Sequence, residues 1–207
     1  QLMALLDHFD QDGLPFSVLT LDIDWHLTDI PQRFGSGWTG YTWNCALFAD
    51  PVRLLTKLHD RGLKVTLNVH PAAGIRAYET AYPRVAQKLG LDQKNEEPAL
   101  FDLSRPDFRA TYFEDVHQPL TAMGVDFWWL DWQQGSSLGP RDVDPLWLLN
   151  HYHYQQSAAD HHMEGLILSR YAGPGSHRYP IGFSGDTYIS WSALAFQPYF
   201  TTTAANI

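Results

Sequence analysis

The chain has 207 residues, enough for one domain with a sizeable core. A formal net charge of -9 with only 14 Lys and Arg argues against a nucleic-acid partner. No apolar run reaches the roughly 20 residues of a membrane helix, so we expect no membrane partner. The single cysteine, Cys45, excludes an internal disulfide framework and a zinc site made of cysteines. No targeting segment is visible, so cytoplasmic and secreted locations both stay open.

Helices and strands alternate in the first third of the chain. Apolar residues at helical spacing between Leu2 and Phe9 predict a helix that ends before Gly13. A strand over Phe16–Ile23 follows, and then an aperiodic glycine- and aromatic-rich segment, 35–44, that predicts an ordered loop near a site. Two more elements come next in the sequence: a helix capped by Asp50 and stopped at Gly62, and a strand over Leu63–Val69.

The same alternation continues to the end of the chain. A helix is predicted over Tyr82–Leu89, and another from Ser104 and Pro106 onward, with its last turn bent at Pro119. The remaining predicted elements are a strand over Val125–Leu130, a helix opened by Asp144 and Pro145, a strand over Leu166–Leu168, a glycine-rich loop over 171–186 and a helix after Trp191. Strands separated by helices in this way predict parallel βαβ units.

Polar or ionisable residues follow each predicted strand. The four junctions hold Asp22 with Asp24, then His70, then Asp131, and finally Arg170 leading to Asp186. In a parallel (β/α)8 barrel all four face one edge, where such folds place their chemistry. A doubly wound sheet would also gather them at one edge, so this alternative stays open.

Two carboxylates in a tryptophan-lined pocket suit glycoside hydrolysis. Asp131 directly follows the stiff segment Val125–Leu130, as a nucleophile requires, while Asp186 lies on a glycine-rich loop from which it could act as acid and base. Arg170 could bind sugar hydroxyls or keep the nucleophile ionised. An ordinary salt bridge at a strand end is the alternative role for Arg170.

Three segments in order resemble glycoside hydrolase family 31, the α-glucosidase and α-xylosidase family: LDIDW at 21–25, DFWWLDW at 126–132, and SRYAGPGSHRYPIGFSGD at 169–186 followed by Trp191. The resemblance covers nearly the whole chain. It implies a (β/α)8 TIM barrel and a retaining mechanism through a covalent glycosyl-enzyme, without a cofactor or a metal.

The resemblance also implies residue roles. Asp131 matches the family's nucleophile, Asp186 its acid/base, Arg170 a sugar-contacting arginine and Asp22 a ligand of sugar hydroxyls. We expect Trp129, Phe183, Trp25 and His70 to line the substrate site as well. The chain departs from the family pattern at three places, which leaves the sugar open: Trp132 to Gly135 replace M-N-E-P, Phe183 replaces a tryptophan, and His70 replaces an aspartate.

Only about four of the eight barrel strands can be placed, so residues 1–207 are interpreted as part of a larger catalytic domain whose remainder lies outside the chain. The expected partner is an oligosaccharide or glycoside, and α-glucosidase is the first expectation. Xylose, galactose and N-acetylgalactosamine specificities, transglycosylation and a glucan lyase stay open. From other classes, we consider a non-catalytic carbohydrate-binding relative and a metal-dependent barrel hydrolase using His151, His153, His161 and His162 with Asp22, Asp24 and His26.

Overall fold

The computed structural model describes residues 1–134, 143–161, 164–170 and 175–204. Its centre is one parallel sheet whose strands follow one another in space in the order of the sequence. These strands are β1 (Val18–Leu21), β2 (Lys64–Val69), β3 (Phe127–Leu130), β4 (Ile167–Arg170) and β5 (Gly182–Phe183). A curled parallel sheet with sequential strand order is part of a (β/α) barrel, which confirms the predicted fold class.

Helices precede the first strand, connect the first four strands and follow the fifth. They are α1 (Leu2–Gln11), α2 (Pro51–Asp60), α3 (Tyr82–Leu89), α4 (Pro106–Thr111), α5 (Gln118–Met123), α6 (Pro145–His161) and α7 (Trp191–Ala204). A wide π-helical segment, Tyr112–His117, joins α4 to α5 just before the predicted bend at Pro119. No helix in the described ranges is long and apolar enough to cross a membrane.

The helix starts follow from local chemistry. The Asp50 side chain accepts a hydrogen bond from the backbone N–H of Arg53 at 2.9 Å, and Pro51 occupies the first turn, where its missing N–H costs nothing. Asp144 caps α6 in the same way, accepting from the N–H of Leu146 at 2.9 Å. Both caps were predicted, and both fix where a helix leaves the sheet.

Two strand predictions need correction. β1 ends at Leu21, because the Asp22 side chain accepts a hydrogen bond from the N–H of Ile23 and starts a single 3-10 turn, Ile23–Trp25. β5 lies inside the segment predicted as a glycine-rich loop. A strand of two residues is too short for a period-2 pattern, so only its pairing with β4 reveals it.

The side chains of β2 alternate between a face that packs against helices and a face that carries polar groups. Val65, Leu67 and Val69 are fully buried in the hydrophobic cluster that includes Leu55 and Leu58 of α2. Successive side chains of a strand point to opposite faces, so Thr66, Asn68 and His70 share the other face, the interior of the partial barrel. The strand thus packs against helices with one face and offers polar groups to the interior with the other.

Candidate active site

Four site residues lie side by side across the carboxyl ends of β2 to β5. Leu130 pairs with Val69 and with Ser169, so the next residue, Asp131, lies level with His70 on one side and Arg170 on the other. Arg170 is itself paired with Phe183 of β5. We call His70, Asp131, Arg170 and Phe183 the rim row. The sheet register alone therefore brings these four side chains together.

Asp131 is buried and accepts hydrogen bonds from both neighbours in the rim row. Nε2 of His70 lies 2.9 Å from Oδ2 of Asp131, and Nε of Arg170 donates to Oδ1. The side-chain amide of Gln133 donates to Oδ2 at 3.3 Å. These donors supply the compensation that a buried carboxylate requires.

The same contacts set the charge state of Asp131. Burial opposes the charged form, but the hydrogen bonds and charges of His70 and Arg170 outweigh it and lower the pKa of Asp131 from 3.8 to about 2. Asp131 is therefore an anion throughout the neutral range. A carboxylate held ionised at the end of a rigid strand has the form that a nucleophile needs.

Arg170 contacts both acidic candidates at once. While its Nε donates to Asp131, one of its terminal nitrogens lies 3.1 Å from Oδ2 of Asp186. Burial opposes the charge on Arg170, yet the two carboxylates raise its pKa above the ordinary value. Asp186 is 85% exposed, so of the two carboxylates one is enclosed and one faces solvent.

A glycine next to Asp186 permits this arrangement. Gly185 has a φ of +83°, and a Cβ placed on it would lie 2.4 Å from Nη1 of Arg170. The loop therefore approaches the guanidinium more closely than any side chain would allow, in a backbone conformation that favours glycine. A larger residue here would press on the guanidinium that pairs with Asp186.

Aromatic rings flank the rim row. Phe183 packs with its ring 5.5 Å from that of Trp129, and the guanidinium of Arg170 lies 5.1 Å from the Phe183 ring centre. Trp129 is half-buried on the interior face of β3, and its indole nitrogen is buried without a hydrogen-bond partner. The predicted neighbours Trp129 and Phe183 thus lie beside the two carboxylates.

Asp22 and Trp25 are placed differently from the rim row. Leu21 pairs with Leu67, so Asp22 is level with Asn68, two residues below His70 along the barrel axis, and its carboxylate caps the turn that follows. Trp25 has no exposed surface, and its indole nitrogen donates to the carbonyl of Asn68 at 2.7 Å. The structure does not support the expected sugar contact of Trp25, because this ring packs in the core.

The loop 35–44 contributes a side chain that the sequence analysis did not single out. Trp38 is half exposed, and its ring centre lies 4.8 Å from that of His70. The loop is held by Glu79, a buried carboxyl that accepts from the N–H of Tyr41 at 3.1 Å and from the hydroxyl of Thr42 at 2.5 Å. The aromatic and glycine content predicted an ordered loop, but only the fold reveals that Trp38 covers His70.

The histidines proposed as metal ligands do not converge in the described ranges. His153 is buried and packs among aromatic rings, with Nε2 3.3 Å from the Tyr112 hydroxyl, whereas His151 is exposed and lies near the Tyr179 hydroxyl. His162 and the side chain of His161 lie outside the described residues. Within the described part of the chain no group of three or more His, Cys, Asp or Glu could hold a metal.

The parallel half barrel with charged residues at its carboxyl edge defines a domain of the (β/α)-barrel class. The whole chain, residues 1–207, matches the family described as "Glycosyl hydrolases family 31 TIM-barrel domain". The chain belongs to glycoside hydrolase family 31, as the sequence motifs predicted.

Solved structures with the same fold come from this family. A sulfoquinovosidase from E. rectale, bound to an aza-sugar inhibitor, superposes with a TM-score of 0.66 at 16% identity over 91% of this chain. A glucosidase II alpha subunit gives 0.62 at 15% identity over 91%, and a cycloalternan-degrading enzyme from Trueperella pyogenes, in complex with a covalent intermediate, gives 0.57 at 18% over 93%. At these identities the likeness shows the fold alone.

The chain spans only part of the length of these proteins. It covers 31%, 23% and 32% of the three, in the same order.

Proposed function

We propose that this chain holds the two catalytic carboxylates of a retaining α-glycosidase that removes a terminal α-linked sugar. The observation behind the proposal is the pair Asp131 and Asp186 on one arginine. One carboxylate is enclosed and ionised by its neighbours, and the other is open to solvent on a separate loop. Two carboxyl groups in different environments are what glycoside hydrolysis uses for its two roles.

In the first step the carboxylate of Asp131 attacks the anomeric carbon of the sugar. The bond from that carbon to the leaving-group oxygen breaks, and Asp186 gives its proton to this oxygen. The product is a glycosyl ester on Asp131.

In the second step Asp186 acts as a base. It takes a proton from a water molecule whose oxygen attacks the anomeric carbon, and the ester bond to Asp131 breaks. His70 and Arg170 then stabilise the released carboxylate. A sugar hydroxyl in place of water would give transglycosylation by the same bond changes.

The proposed sugar is glucose-configured, and an α-glucoside is the first substrate to test. Exo action is favoured because the Asp131 side chain is enclosed and aromatic rings lie along the rim row, where Trp38 packs on His70 and Trp129 packs on Phe183. His70 and Phe183 depart from the family pattern at the sugar site. Xylose, galactose and N-acetylgalactosamine glycosides therefore belong in the same substrate panel.

The test uses the whole protein that contains this chain, with Asp131→Ala, Asp186→Ala and, as control, Asp29→Ala at an exposed position outside the site. Each variant is assayed on aryl α-glycosides with and without azide. We expect azide to restore Asp131→Ala turnover with formation of the β-glycosyl azide. Asp186→Ala should lose less activity on substrates with good leaving groups than on substrates with poor ones. Full activity in either variant would refute the assignment.

A further inference from the structure

A cavity of about 300 Å³ adjoins the rim row on the side of His70. It lies between the loops that follow β1 and β2, and its lining includes Phe34, Trp38, Thr39, Ala73, Arg76 and Gln134. Trp38 packs against His70, and Gln134 is in the same loop as Asp131. A group bound here would lie one residue away from His70, which itself contacts Asp131, so a substrate at Asp131 could extend into the cavity. We call it the Arg76 cavity.

Thr39 fixes the two loops of the cavity relative to each other. Its hydroxyl donates to the carbonyl of His70 and accepts from the N–H of Ala73 at 3.1 Å. Its own carbonyl accepts from the Tyr78 hydroxyl at 2.8 Å. The walls are thus held before any ligand arrives, which reduces the entropic cost of binding.

Arg76 is presented by an equally fixed segment. The preceding residue, Ile75, is fully buried and exchanges two backbone hydrogen bonds with Ala99, at 2.9 and 3.0 Å. The Nε of Arg76 is buried, and none of the described residues offers it a hydrogen-bond acceptor. A buried donor without a partner costs free energy that a ligand can recover.

Arg76 also has no carboxylate within ion-pair distance among the described residues. Several other arginines of this acidic chain pair with carboxylates: Arg33 lies 2.8 Å from Glu96, and Arg105 lies 2.6 Å from Asp107. An arginine in a cavity beside a substrate site, with no ion pair to a carboxylate of the described residues, is suited to an anion. Its planar fork matches the oxygens of a carboxylate, sulfonate or phosphate.

We propose that the Arg76 cavity binds an anionic substituent of the substrate, with Arg76 pairing the charge and Trp38 covering the adjacent sugar or aryl face. The inference rests on the proposed function, because it defines the substrate of the same site. The charge can reside on the sugar that is transferred or on the leaving group. The recognition chemistry is the same in both cases.

The experiment compares three substrates in the whole protein: 4-nitrophenyl α-glucoside, 4-nitrophenyl α-glucuronide and the α-glucoside of a sulfonated nitrophenol. The measured quantity is the ratio of kcat/KM for each charged substrate to that for the neutral one. The variants are Arg76→Met, which removes the charge, and Arg76→Lys, which keeps the charge but loses the fork. Arg53→Met, at an exposed position on α2, is the matched control.

We expect the wild type to prefer one charged substrate by about tenfold or more, as one charge-assisted hydrogen bond provides. Arg76→Met should remove this preference, Arg76→Lys should reduce it, and Arg53→Met should leave it unchanged. The identity of the preferred substrate locates the charge on the sugar or on the leaving group. Equal ratios in the wild type and Arg76→Met would overturn the inference.

A second measurement separates this inference from the proposed function. The three glycosides are titrated calorimetrically into Asp131→Asn and into Asp131→Asn with Arg76→Met. If the wild type hydrolyses no α-glycoside, the proposed function fails. The cavity is then supported by tighter binding of a charged glycoside that depends on Arg76, and is refuted by equal affinities.

Discussion

Nε2 of His70 lies 2.9 Å from Oδ2 of Asp131, and the two side chains are only 2% and 6% exposed. The sequence analysis predicted His70 as a sugar-contacting residue, and the structure adds a direct bond to the proposed nucleophile. With solvent excluded, this bond and the contact from Arg170 replace the hydration of the carboxylate. In the proposed mechanism His70 therefore acts through Asp131.

Replacing His70 by phenylalanine should raise the pKa of Asp131, because one of the groups that lower it is lost. We expect kcat/KM to fall by about 10- to 100-fold, the effect of one charge-assisted hydrogen bond. The acidic limb of the pH profile should move to higher pH. His8→Phe, on the exposed side of α1, is the control. An acidic limb that stays in place would show that His70 does not tune Asp131.

The depressed pKa of Asp131 also predicts a dependence of stability on pH. Because the folded pKa of about 2 lies below the ordinary 3.8, the stabilisation is complete above about pH 4 and is lost as the pH falls towards 2. Its size is about 2 kcal/mol. Urea unfolding between pH 2 and 5 should show a smaller loss in Asp131→Asn than in the wild type. Asp29→Asn should show the same pH dependence as the wild type. The prediction is contradicted if the free energy of unfolding of Asp131→Asn falls with pH as steeply as that of the wild type.

Gly185 tests the close approach to Arg170. Alanine at this position would force its Cβ against Nη1, so we expect Gly185→Ala to displace Asp186 and to lower kcat by about tenfold or more, as misplacement of a catalytic group does. Gly62→Ala is the matched control, because its φ of +78° is nearly the same but no atom lies within 4 Å of the added Cβ. It should cost about 1 kcal/mol of stability from backbone strain and leave activity unchanged. Equal activities in the two variants would argue against the contact.

Glu79 should make the loop that bears Trp38 sensitive to pH. Burial raises the pKa of Glu79 above 4.5, although Thr42 and the N–H of Tyr41 hydrogen-bond to it. An acid with a raised folded pKa makes the folded state less stable as the pH rises through that pKa. Relative to Glu79→Gln, the wild type should therefore lose stability in urea unfolding as the pH rises above about 4.5, the ordinary pKa of the group. Glu164→Gln, at an exposed position, is the control. The prediction is contradicted if the difference in free energy of unfolding between the wild type and Glu79→Gln does not change with pH.

The sequence predicted the helices of this chain well because their ends depend on local groups. Asp50 with Pro51 and Asp144 with Pro145 each fix a helix start through bonds within a few residues. The extended segments at β2 and β3 were also clear, since β2 alternates apolar and polar residues and β3 is apolar on both sides of the chain. β5 was missed because a strand of two residues is too short to show an alternation of apolar and polar side chains.

The candidate site was predicted in composition but not in contacts. Asp131, His70 and Arg170 were identified because each is a polar residue at the end of a predicted strand. Their side-by-side placement, however, depends on the register between strands that are far apart in sequence. Trp25 shows the limit of such patterns. Its position after an acidic motif suggested the site, whereas its ring is enclosed by packing that no local pattern encodes.

The rim row has a consequence for how new specificities can arise in this scaffold. β2 to β5 each provide one residue of the row, at or just beyond the last ladder bonds of the sheet. The side chain at such a position can be exchanged without removing any backbone bond that holds the barrel. His70 and Phe183, where this chain departs from its family, are positions of this kind. The sheet and the side chains at its carboxyl edge can therefore diversify independently, one strand end at a time.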